Sequence, residues 1–136
     1  MSTATAKYTF TEMIEFISAR LNLDNAILRR LNAGRLFTVA AFGYGEEECR
    51  LHIFLGQGVT GQCALQGKTI YINDLSDYRG EYLAGIREAR SELCIPLFGE
   101  QGMVIGTLNM ESTLPHNFTE EKRDLLEKMA KRIHFD

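Results

Sequence analysis

A chain of 136 residues, 45% hydrophobic and 24% charged, is long enough to enclose one core, too short for two, and too apolar to stay disordered. Its net charge of -3, from 15 basic against 18 acidic residues, leaves no basic surplus to displace counterions from a nucleic-acid backbone, which excludes direct DNA or RNA binding as an expectation. Apolar runs such as 36–42 fall far short of a bilayer span, and the first residues, MSTATAK, lack the apolar segment of a secretion signal. The expectation is one cytoplasmic domain over residues 1–136 with no membrane contact.

From Tyr8 onward, Met13, Ile14, Phe16, Ile17 and Leu21 recur at helical spacing, with Thr9 or Thr11 placed to cap the start. Residues 26–31 and 35–42 then read as two strands joined across Asn32-Ala33-Gly34. The segment 44–55 pairs an acidic start suited to a helix with an apolar end suited to a strand, and its pattern alone does not choose between them. A short helix over 59–66 ended by Gly67, and a short strand in TIYIND, follow from the next stretch.

Residues 74–89 are polar and glycine-containing, with Tyr71, Tyr78 and Tyr82 in or beside them, which suits a loop over a site. Strands over 91–98 and 103–111 flank the GEQG turn. The closing helix has Thr119 as its cap, acids early, bases late, and Leu125, Leu126, Met129 and Ile133 on one face. Terminal helices around a mainly antiparallel sheet give an α+β layout.

Alternation sorts the second hairpin into two faces. Ser91, Leu93, Ile95 and Leu97 share one, and Glu92 and Cys94 the other; Asn109 and Glu111 likewise oppose Leu108 and Met110. A sheet face bearing Glu92, Cys94, Asn109 and Glu111 is either solvated or the floor of a small-molecule pocket.

The segments GQGVTGQ at 56–62, Asn73-Asp74, Arg90-Ser91-Glu92-Leu93, Ile95-Pro96-Leu97, Gly106-Thr107-Leu108 and Asn117-Phe118-Thr119-Glu120 occur in the order and spacing of GAF domains. The resemblance covers about residues 8–134. It implies a six-stranded antiparallel sheet with the terminal helices on one face and a lid-covered pocket on the other. It favours the pocket, with Glu92, Cys94, Asn109, Glu111, Tyr71, Asp74 and Tyr82 as ligand-binding candidates. It also implies a sensory, regulatory role in signal transduction, a homodimer formed through the terminal helices, and an output partner such as a kinase or a transcription regulator.

One GAF branch is catalytic, the free methionine-R-sulfoxide reductases, and this chain is similar to it at Arg90-Ser91-Glu92 and at Asn109 and Glu111, where that branch has two aspartates. It departs from that branch at Thr60, where the reductases carry a cysteine, and in LAGIREA, which has none. A reductase would therefore need relocated thiols, Cys63 and Cys94. The chain reads first as a non-catalytic binding domain. Three cysteines without a CxxC pair and three scattered histidines, His52, His116 and His134, offer no metal spacing, and no cofactor is expected. The GQGVTG segment lacks the Lys-Ser/Thr ending of a phosphate loop and reads as a turn into a helix.

Overall fold

The computed structural model describes residues 8–78 and 88–135. Helix α1 (Phe10–Leu21) starts at a capping box, in which the Thr9 hydroxyl accepts from the Glu12 N–H and the Glu12 carboxylate accepts from the Thr9 N–H. It ends where Asn22 turns left-handed at φ 55°. Strands β1 (Ala26–Asn32) and β2 (Arg35–Phe42) form the expected hairpin. Its two central residues, Ala33 and Gly34, both have positive φ, the turn geometry that matches strand twist.

The ambiguous segment resolves into both readings, a one-turn helix α2 (Glu46–Arg50) followed by a two-residue strand β3 (Ile53–Phe54). Helix α3 (Gly58–Gln66) and strand β4 (Ile70–Ile72) come next, then a 3-10 turn at Leu75–Asp77. Strands β5 (Ser91–Phe98) and β6 (Val104–Ser112) and helix α4 (Glu120–Ala130), capped by Thr119, complete the chain. The six strands make one antiparallel sheet in the order β3-β2-β1-β6-β5-β4. The helical piece expected after Glu81 and the candidate Tyr82 lie outside the described residues.

Both faces of this sheet are covered. On one, Ile14 of α1, Leu126 and Ala130 of α4, and Phe118 just before α4 pack against Leu28, Leu93, Ile95, Leu97, Leu108 and Met110. On the other, α3 packs Val59, Cys63 and Ala64 over Cys94, Ile72, Leu36 and Ile53. The GQGVTG glycines serve this second contact: a Cβ on Gly61 would lie 2.4 Å from the Phe54 carbonyl oxygen, so only glycine lets α3 approach so closely.

Two helix faces differ from their sequence pattern. Phe16 is 66% exposed on α1 and Leu125 41% exposed on α4, because each covers a single sheet face and the buried stripe is narrower than the run of apolar residues. Ile133 is buried as expected, although α4 ends at Ala130. Leu126→Ala should therefore cost about 2–5 kcal/mol of stability in urea unfolding, whereas Leu125→Ala should shift it by less than about 1 kcal/mol.

Candidate functional site

The face opposite the terminal helices carries polar side chains from the three central strands. Glu92 on β5 and Glu111 on β6 are direct cross-strand partners, as are Cys94 and Asn109 one step along and Asn109 and Ile27 on the next pair. Arg29 on β1 stands opposite Thr107 of β6 and Thr38 of β2. The Thr38 register is set by a bulge beside Leu28/Arg29, after which β2 turns Leu36 and Thr38 toward the α3 side while Ala40 faces the terminal helices. Arg29, Glu92, Asn109 and Glu111 are each at most 5% exposed.

Such groups persist away from water only if they satisfy one another. Asn109 Nδ2 donates to Glu92 Oε2 at 2.6 Å and to Thr60 Oγ1 at 3.2 Å, using both of its protons. Tyr44, just before α2, donates its hydroxyl to Glu111 Oε1 at 3.0 Å. The Glu111 N–H donates to Asn25 Oδ1 at 2.7 Å, so a buried side chain there takes the place of a ladder partner just before β1 begins. Among the described residues, Glu92 Oε1 and Arg29 Nε are buried without a hydrogen-bond partner. These residues, with Glu48, Leu51, Ile53 and Val59, line a cavity of about 30 Å³. Its roof comes from Tyr44, Glu48 and Leu51, on and around α2, a helix with no buried residue and no side-chain cap.

The charges are frustrated by burial. At the roughly 5 Å spacing of cross-strand neighbours, and with an effective dielectric of about 20, two carboxylates repel by about 3 kcal/mol. Burial first, then the charges of Glu111 and Cys94, push the Glu92 carboxyl well above the ordinary carboxylate range, with Arg29 pulling the other way. Burial and the two carboxylates likewise raise the Tyr44 phenol, which stays a neutral donor. Arg29 is pulled down by its own burial and held up by Tyr44, Cys94 and the two glutamates.

Of the residues expected from sequence, Glu92, Asn109 and Glu111 line the cavity together. Cys94 lies beside the floor, wholly buried and packed against Cys63 of α3. Burial, then a hydrogen bond with Cys63, raise its thiol well above the ordinary range, and both cysteines are free thiols. Tyr71 falls elsewhere. As the partner of Leu93 it points to the terminal-helix side, edge-on to Phe118 at 6.5 Å and under the Arg123 guanidinium at 4.3 Å. Asp74 is also away from the cavity: it caps the 3-10 turn and receives two hydrogen bonds from Arg90, which hold its carboxyl well below the usual carboxylate range. His52 packs on Phe37 with ring centroids 4.5 Å apart, a structural contact.

Arg29, Tyr44 and Glu48 were not expected. Arg29 had a signal: two adjacent arginines, Arg29 and Arg30, in a strand covered on both faces must send one side chain to each side. Tyr44 and Glu48 had none, since their segment reaches the floor only through the tertiary fold.

An acid whose folded value is raised keeps a proton that the unfolded chain releases above its ordinary value of 4.5. Stability should therefore fall as pH rises from the ordinary glutamate range through the raised Glu92 value, and then level off. Glu92→Gln, which keeps an acceptor for Asn109, should flatten that fall in urea unfolding between about pH 5 and pH 8. An unchanged slope would show that Glu92 is ionised throughout.

Known proteins share this architecture. The Saccharomyces cerevisiae free methionine-R-sulfoxide reductase is 29% identical over 90 residues, 66% of this chain and 49% of that protein, so the chain spans about half the length of the curated relative it matches. Among solved structures, a type II free methionine-R-sulfoxide reductase from Thermoplasma acidophilum superposes with a TM-score of 0.80 at 22% identity, covering 89% of this chain and 84% of that one. The GAF domain of a phosphoenolpyruvate-protein phosphotransferase from Coxiella burnetii gives 0.82 at 20% identity, over 93% and 80%. At these identities the superpositions speak for the fold alone, and they include both an enzyme and a domain of a larger protein. The sequence profile described as GAF domain matches residues 3–135, nearly the whole chain, and the protein therefore belongs to the GAF domain family.

Proposed function

We propose that residues 1–136 form one small-molecule-binding, regulatory GAF domain that is not itself catalytic, and that its ligand presents an ammonium or other N–H group to Glu92 and Glu111. The observation that carries this reading is Glu92 Oε1, a buried acceptor beside the cavity with no protein donor. An unpartnered buried acceptor is costly, and a charge-assisted hydrogen bond from a ligand removes that cost. Amino acids, small amines and amides have the required donor.

A cavity of about 30 Å³ is far below the roughly 300 Å³ or more of ligand pockets. The ligand therefore enters by displacing the roof, and the movable part is the segment around α2. It exposes Glu46 and Glu47 and has no fully buried residue, so lifting it sacrifices little apolar contact. Displacement of Tyr44 from Glu111 is then the local event that signals occupancy, and a second copy or an output partner reads it. Tyr8 and Phe16, exposed beside Met13 on α1, are the apolar surface through which the homodimer would form.

A second reading has its own support. Cys63 and Cys94 pack in one buried cluster beside the floor, and the curated relative is a free methionine-R-sulfoxide reductase. Two thiols that pass to a disulfide supply the two electrons that reduce a sulfoxide, with water as the other product. Against it, both thiols are fully buried, burial holds Cys94 as the thiol, and Thr60 occupies the reductase cysteine's place.

Thermal shift of the reduced protein against amino acids, amines, cyclic nucleotides and free methionine sulfoxide tests both readings. A ligand at about a hundred times its dissociation constant adds about 2.7 kcal/mol and raises the melting midpoint by several degrees. Glu92→Gln should weaken such a ligand by about 1–3 kcal/mol, some five- to 150-fold; unchanged affinity removes Glu92 from the site. Saturating ligand should alter amide hydrogen exchange in residues 44–51, and an unchanged pattern there rejects the roof as the entrance. Turnover of methionine sulfoxide that is lost in both Cys63→Ser and Cys94→Ser would establish the reductase.

A further inference from the structure

Two residues that line the same cavity each carry a buried polar atom with no hydrogen-bond partner among the described residues, and the two atoms differ in character: Glu92 Oε1 on β5 and Arg29 Nε on β1. Glu92 is 3% exposed and Arg29 5%. An arginine Nε–H can only donate. The strand neighbours do not supply the acceptor it lacks, since Thr38 and Thr107, opposite Arg29 on either side, leave their own hydroxyls buried and unpartnered. Toward β5, the Asn109 amide has both protons engaged, on Glu92 Oε2 and on Thr60, and has none left for Oε1. The row that holds Arg29 and Thr107 lies four β6 residues from the row that holds Glu92 and Glu111, roughly 14 Å along the sheet. Arg29 and Glu92 therefore reach the cavity from different rows, and a group that serves both needs an acceptor on one side and a donor on the other.

We propose that the ligand's polar head is a neutral amide, in a carboxamide or urea-type compound, whose carbonyl oxygen accepts from Arg29 Nε–H while its N–H donates to Glu92 Oε1. This deepens the proposed binding of an N–H-bearing ligand at the same floor and rests on it. An ammonium supplies donors only, so Arg29 Nε keeps the penalty of a buried group without a partner. A carboxylate supplies acceptors only and brings a further negative charge to a floor that already holds Glu92 and Glu111. An amide carries both polarities and adds no net charge, so it needs no counter-ion in a buried site, whatever the proton state of the carboxyls around it. It also meets Glu92 in either proton state, its N–H donating to the carboxylate and its carbonyl accepting from the neutral acid. The closed cavity of about 30 Å³ holds no more than roughly one water, so the head enters as the roof lifts.

Four probes of similar size separate the ligand classes: acetamide, acetone, acetate and methylammonium, each titrated into the reduced, isotope-labelled protein while the arginine Nε–H signals are followed by NMR. The Arg29 signal is the one lost in Arg29→Lys; should that variant fail to fold, cross-relaxation to the Thr38 and Thr107 methyls identifies it in the unaltered protein. Acetamide should bind about tenfold or more tightly than each of the other three, shift the Arg29 Nε–H downfield and slow its exchange with water. Arg29→Lys should lose the preference for acetamide over methylammonium. Any of the other probes binding as tightly as acetamide, or acetamide binding that leaves the Arg29 signal unmoved, would overturn the amide head while the binding reading stands. If neither these probes nor the wider panel of amino acids and amines binds, and a trapped water alone contacts the Arg29 Nε–H, the binding reading falls and the amide head falls with it.

Discussion

The structure depends on one constraint: its sheet is dry on both sides. Strands β1, β5 and β6 run through the middle of the molecule, so alternate residues enter two different compartments, neither of which is solvent. Toward the terminal helices these strands present a mainly apolar set, Leu28, Leu93, Ile95, Leu97, Leu108 and Met110, with the small hydroxyls of Ser91 and Ser112 buried at its end. Each such side chain, fully buried, contributes about 1.5–3 kcal/mol. Toward α3 the same strands present Arg29, Glu92, Cys94, Thr107, Asn109 and Glu111, all buried. The first compartment supplies the stability that the second consumes.

That second compartment is built from parts of unequal firmness. Its floor is ladder-bonded on both sides and cannot shift without disturbing the core beneath it. Its roof is a one-turn helix with no fully buried residue, together with the flanking Tyr44, whose hydroxyl donates to Glu111. A rigid, polar floor beneath a weakly held roof suits the proposed binding response, since the free energy of occupying the floor need exceed only the small cost of lifting the roof.

The cysteines mark where the catalytic and binding readings separate. Thr60 accepts a hydrogen bond from the Asn109 amide, and so works as a structural hydroxyl in the polar network. Cys63 sits one helical turn further into α3, in an apolar cluster with Val59, Ile72 and Cys94. Its environment is that of a small buried hydrophobe. The same fold is shared by a free methionine-R-sulfoxide reductase and the GAF domain of a phosphoenolpyruvate-protein phosphotransferase, so function lies in a few side chains rather than in the architecture.

Local pattern was enough for most of the elements. Both hairpins, α1, α3, α4 and the Thr caps follow from periodicity, turn residues and capping chemistry, all of which act within a few positions of the chain. Alternation along β5 and β6 also placed Glu92, Asn109 and Glu111 on one face, because a strand's two faces are fixed by its own backbone. What pattern did not fix was what each face meets. Tyr71 reads as a neighbour of the site in sequence, but its pairing with Leu93 turns it to the opposite side. Asp74 belongs to a surface cap with Arg90, and Phe16 and Leu125 fall outside the buried stripes. Arg29 and Tyr44 join the floor only through a strand order that sets β1 beside β6 and a chain path that brings Tyr44 to Glu111, 67 positions away. The sequence by itself determined the elements and their two-faced character, since those are local; the tertiary structure alone decided which face became a closed, charged cavity, because burial and charge pairing depend on which distant segments meet.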